Sequence, residues 1–169
     1  MRRWFLIATA VLTLVSSGCS GLRVGGEDAP FPTISPPGGM KAVSWKNFAF
    51  AVPGEWREET DGNGGHHWRD ASGETVMTAG YSTMSHCPKE ADLRRSEGDT
   101  NVTGYAPLRV PGAAGGARIV FDRPSYDVND ATNLLAWLKD CQTELAIEVY
   151  ATGSVVDDIA SSIVAQADD

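Results

Sequence analysis

His66, His67 and His86 are the residues whose chemistry could matter most, because imidazole is the common ligand for a transition metal. Their spacing does not favour it. Neighbours on a strand point to opposite faces, so His66 and His67 can give one ligand, not two, to a shared site. The chain has no His-x-x-x-His and no Cys-x-x-Cys. The expected role is that of solvated histidines beside Trp68, with no metal and no cofactor. Gly80-Tyr81-Ser82-Thr83-Met84 starts like a nucleophile elbow but ends in Met where that motif needs Gly. Glu58-Glu59 and Asp157-Asp158 are adjacent carboxylates rather than facing pairs. Asp61-x-Asn63 and Asp127-x-Asn129-Asp130 look like pieces of calcium loops, yet lack the sixth-position Gly and the twelfth-position Glu. No catalytic residue is assigned, and the chemistry expected is binding.

Cysteine usage sets the compartment. Arg2 and Arg3 precede the apolar run Trp4 to Val15, and Ser16-Ser17-Gly18 puts small residues directly before Cys19. This pattern resembles a bacterial lipoprotein signal peptide, covering Met1 to Cys19. The resemblance implies cleavage after Gly18 and acylation of Cys19, which tethers the chain to the outer side of the cell membrane. The apolar run is shorter than the ~20 residues that span a bilayer. With Cys19 acylated, Cys87 and Cys141 remain, and an even remainder in an exported protein points to a disulfide, the rival reading being two unrelated buried thiols. A loop of about 55 residues closed in this way is worth roughly 4 kcal/mol in the chain-entropy model. A catalytic thiol is not expected, because His86 and Cys87 are adjacent and would point apart on a strand.

Composition narrows the partners. The chain has 169 residues, 14 basic and 22 acidic, and a net charge of −8. Loss of Arg2 and Arg3 with the leader leaves 12 basic residues and a charge of −10. Such a surface argues against nucleic acid, which needs basic patches. It also argues against electrostatic adhesion to anionic lipid, so membrane contact should come from Cys19.

The elements that position these residues follow from local pattern. Residues 1–18 are the signal, and residues 19–40 are a Gly/Pro-rich tether ending in Pro36-Pro37-Gly38-Gly39. Residues 41–169 form one domain. Phe48, Phe50 and Val52 alternate with Ala49 and Ala51, which predicts a strand. Asp61 to Gly65 is a loop. His67 to Asp70 and Glu74 to Met84 are strands around the turn Ala71-Ser72-Gly73. Pro88 to Arg95 is a short helix with Pro88 at its first position. Asn101 to Val110 and Ala117 to Arg123 are strands flanking the turn Pro111 to Gly116. Asn133 to Leu138 reads as a helix opening or as a strand; the β-branched return Glu144 to Tyr150 favours a hairpin. Ser154-x-x-Asp157 resembles a capping box, and Val155, Val156, Ile159, Ala160 and Ile163 repeat at helical spacing. The class is α+β, with a mostly antiparallel sheet packed by a C-terminal amphipathic helix and a short middle helix.

The Phe-rich strand, then Val52-Pro53-Gly54-Glu55-Trp56, then Ala151-Thr152-Gly153 before a terminal helix resembles small actinobacterial lipoproteins with a PsbP-like α/β/α sandwich. The likeness runs from Lys41 to Ala167 and rests on short motifs. It implies an antiparallel central sheet and an accessory or assembly role, with no catalytic residue to carry over. The function expected is non-enzymatic binding of a partner protein or of an apolar or glycan ligand. The alternative is a small envelope enzyme or metal-dependent protein using the His66/His67/His86 region. Of the aromatic set Trp45, Phe48, Phe50, Trp56 and Trp68, most should be core; Trp56 and Trp68, if exposed together, would line a ligand groove.

Overall fold

A computed structural model describes residues 32–62, 65–95, 98, 100–124 and 128–166. The signal segment, Cys19 and the tether up to residue 31 lie outside the described residues. Ten strands and two helices follow in order. They are β1 (Met40–Trp45), β2 (Phe48–Pro53), β3 (Arg57–Thr60), β4 (His66–Arg69), β5 (Thr75–Thr83) and α1 (Glu90–Leu93), then β6 (Asn101–Pro107), β7 (Gly115–Arg123), β8 (Val128–Trp137), β9 (Thr143–Val149), α2 (Ser154–Ser162) and β10 (Val164–Ala165). One sheet has three strands in the order β1-β2-β10, and the other has seven in the order β3-β4-β5-β9-β8-β7-β6. Every pairing is antiparallel. The class is therefore α+β with mostly antiparallel sheet and two helices.

The first face of the large sheet carries the main core. Met77 and Ala79 of β5, Leu145, Ile147 and Val149 of β9, and Leu134 and Ala136 of β8 pack against Phe48, Phe50 and Val52. All six residues of β2 are buried, because β1 and β10 flank it and α2 packs on it. Val156, Ile159 and Ala160 give α2 its buried stripe, as the helical spacing requires. Ser162 Oγ ties helix to strand by accepting the Ala51 amide at 2.8 Å, in the position a longer β10 would otherwise occupy.

The second face is thinner. Alternation along β8 sends Leu135 and Trp137 to the side opposite Leu134 and Ala136, where they meet Ala117, Ile119 and Cys141. Only Met84, Leu93 and a few strand residues pack onto this smaller cluster. α1 is a single turn and buries no residue fully. The β8–β9 hairpin settles the ambiguous stretch. Asn133 to Trp137 is strand, Leu138 follows it into the turn, and the run of apolar residues reflects burial on both faces rather than a helix. Cys141 sits in the turn with φ +56°, its amide donating to Leu138 O at 2.9 Å.

Several boundaries differ from expectation, each for a local reason. α1 starts at Glu90, capped by Lys89, so Pro88 precedes the helix rather than opening it. The capping box does not form. Gly153, at φ +85°, takes the N-cap position, Ser154 is already helical, and Asp157 instead pairs with Arg118 at 2.5 Å. Ile163 leaves the helix for an extended conformation and leads into β10. Gly115 and Gly116 belong to β7 rather than to the turn. A Cβ on Gly116 would sit 2.8 Å from the carbonyl oxygens of both Leu108 and Leu135, so only glycine permits this approach.

Candidate functional site

The histidines are kept apart. His66 lies on the first face, its ring 4.5 Å from Trp45 and 6.0 Å from Trp68, with Nδ1 2.5 Å from Glu58 Oε1. His67 points the other way, to Asp61 Oδ2 at 3.1 Å. His86 is in the segment after β5, exposed, and contacts Ser85 Oγ at 2.9 Å. Among the described residues no three His, Cys, Asp or Glu side chains group to hold a metal. Asp61 also accepts the Gly65 amide at 2.8 Å, which closes its loop. Asp130 donates its amide to Asp122 at 2.8 Å, again a turn contact. Asn63 and Asp127 lie outside the described residues. Ser82 sits within β5, on no elbow, and donates to Glu144 Oε2 at 2.9 Å. Burial pushes the Glu144 carboxyl above the ordinary range, and the Ser82 bond only partly offsets this.

Trp56 and Trp68 are not exposed together, so the groove expected of an exposed pair does not form. Trp68 is 0% exposed and Trp56 7%, and both belong to the main core, with Trp68 edge-on to Phe50 at 5.9 Å. The reason is β4 alternation: Trp68 shares the inward face with His66, and β2 closes over it. Neither ring is available to a ligand.

Cys87 and Cys141 form a disulfide, with their Cα atoms 4.7 Å apart. It joins the segment after β5 to the tip of the β8–β9 hairpin. Met84 extends the sheet first, its amide donating to Gln142 O at 3.0 Å. Beyond it the chain crosses the second face as α1, with Leu93 half-buried against the sheet.

Beneath that crossing lies a cleft of about 300 Å³. Leu93, Val102, Ile119 and Phe121 make its apolar walls. Asn133 contributes to its floor, and Asp92, Arg95, Thr100 and Arg123 supply its polar rim. Strand register explains the grouping. Ile119 of β7 pairs with Asn133 of β8, which pairs with Glu148 of β9, which pairs with Thr78 of β5. Paired residues share a face, so an apolar wall runs into a polar row. Arg123 crosses the row. Its guanidinium lies 5.2 Å from the Phe121 ring, and it reaches Thr100 Oγ1 and Glu148 Oε1 at 3.4 Å each. Burial first, then a hydrogen bond to Glu148 and that carboxylate's charge, push the Tyr150 hydroxyl up to about 12. Tyr150 therefore stays a neutral phenol at physiological pH. The Asn133 Oδ1 atom is buried and has no hydrogen-bond partner among the described residues. A buried acceptor left in this way costs about 1–3 kcal/mol.

This site escaped sequence reasoning because its residues come from four elements. The one local signal was Asn133, a polar residue directly before the apolar run Leu134 to Trp137. No known family model matches the chain, and none of the curated proteins searched matches it. Among the described residues, no helix is long and apolar enough to cross a membrane.

Proposed function

We propose that this chain is an exported, lipid-anchored cell-envelope protein whose domain binds a small ligand and does no catalysis. The observation that carries the binding reading is the cleft under α1, where apolar walls meet a short set of polar groups, the usual composition of a ligand site. Its volume lies at the small end of the ~300–1,000 Å³ typical of such sites. The anchoring reading rests on Arg2-Arg3, the apolar run and the small residues before Cys19. The disulfide supports an oxidising compartment. A PsbP-like sandwich, the finer reading of the fold, is supported by the layer of β2 and α2 on one face of an antiparallel sheet.

Native mass spectrometry of the protein extracted from membranes tests the proposal. The expected product begins at an acylated Cys19 and carries a small non-covalent molecule. That molecule should be lost in Leu93→Trp, which fills the cleft from its exposed side. An intact leader would overturn the anchoring, and a bound molecule unaffected by Leu93→Trp would move the site elsewhere.

A further inference from the structure

We infer that the cleft takes a small apolar carboxylate; this deepens the binding reading and rests on it. The argument starts from charge. The protein as a whole is acidic, at −8, yet the described lining of the cleft holds two guanidinium groups, Arg95 and Arg123, and one carboxylate, Asp92, with Glu148 pairing Arg123 from outside the lining. Arg95 lies on the roof side, just past α1, and Arg123 on the sheet side in β7, so they meet the cavity from opposite walls. Arg95 is exposed, and among the described residues its carboxylate contact is Asp92 at 3.7 Å, beyond hydrogen-bond length. Its fork of donors can therefore turn to a ligand carboxylate without breaking a short bond. Arg123 is positioned by Glu148, Thr100 and the Phe121 ring, which fix its plane next to the apolar wall.

The rest of the lining sets the other end of the ligand. Leu93, Val102, Ile119 and Phe121 offer an apolar surface in which a second charge would be desolvated without a partner. A ligand with one anionic end and a compact apolar body satisfies both halves. A cation would face two guanidiniums with only the Asp92 carboxylate of the lining to meet it. A sugar would leave its hydroxyls against the four apolar side chains. An apolar molecule without a charge would gain the walls but not the arginines.

Isothermal titration of the disulfide-intact domain with octanoate and with 1-octanol tests this. Octanoate should bind more tightly by roughly tenfold or more, as a charge-assisted contact requires. The difference should shrink in high salt. Arg95→Gln and Arg123→Gln should each weaken octanoate and leave 1-octanol unchanged. Arg95 is exposed, so its variant keeps the test valid even if Arg123→Gln perturbs folding. Equal affinity for the two probes in the wild type would overturn the carboxylate assignment and leave the cleft standing. Failure of both probes to bind, or binding untouched by Leu93→Trp, would overturn the cleft reading and this inference with it.

Discussion

The two faces of the seven-stranded sheet are built from the same strands and finished differently. On the first, β2 and α2 seal a continuous core in which Phe48, Phe50, Trp68, Leu145 and Ile147 are fully buried. On the second, one helical turn and one disulfide cover a five-residue cluster, and a cleft remains beside it. One face holds the larger buried core. The other gives up burial and keeps polar groups in reach. A single strand serves both: β8 sends Leu134 and Ala136 to the sealed side, and Asn133, Leu135 and Trp137 to the open one.

The comparison is broken most directly by truncating each face. Phe48→Ala on the sealed side should cost about 3–5 kcal/mol in denaturant unfolding, the range for a fully buried aromatic. Leu93→Ala on the open side should cost well under half of that, because Leu93 is only half-buried. Comparable losses would mean that the two faces carry equal weight.

The disulfide comes next. Replacing Cys87 and Cys141 together with Ser should cost about 2–5 kcal/mol, chiefly through the unfolded chain. Limited proteolysis should then cut first within residues 85–95, while the first core persists. Ser162→Ala sharpens the picture on the sealed side. It strands the Ala51 amide and should cost about 1–3 kcal/mol in the same unfolding assay.

Glu144 gives the smallest effect, and it depends on pH. Its folded pKa lies above the unfolded value, so its contribution is full below the unfolded pKa and is lost as pH rises through the folded one. Glu144→Gln should therefore gain stability relative to wild type at neutral pH, and the gain should vanish at about pH 3, below the unfolded pKa, where the wild-type carboxyl is protonated in both states. Thermal unfolding across that range reads it out. A gain that is the same at both pH values would remove burial of the charge as the cause.

Local pattern revealed what is local. The alternation of Phe48, Phe50 and Val52, the β-branched return to Tyr150 and the spacing of Val156, Ile159 and Ala160 each mark one face of one element, and each element is present. The pairing of Cys87 with Cys141 also followed from counting thiols. Features set by tertiary packing were not legible. β10 is two residues long and exists because Val164 and Ala165 reach Ala49 and Phe48 across the sheet. Gly153 rather than Ser154 caps α2, since the chain arrives there at positive φ. The aromatic pattern favoured core for most of the set, but the burial of Trp56 and Trp68 in particular depends on β2 closing over them. The cleft is the extreme case: Leu93, Val102, Phe121 and Asn133 are far apart in sequence, and only strand register, with α1 crossing the sheet, gathers them.

Hydrogen–deuterium exchange on the oxidised and reduced protein tests the division between faces most directly. With the disulfide reduced, amides of residues 85–95 should lose protection, while those of β2, β9 and α2 keep theirs. If β2 and α2 open together with that segment, the second face is no separate cover but part of one cooperative core, and a cleft poised to admit a ligand loses its physical basis.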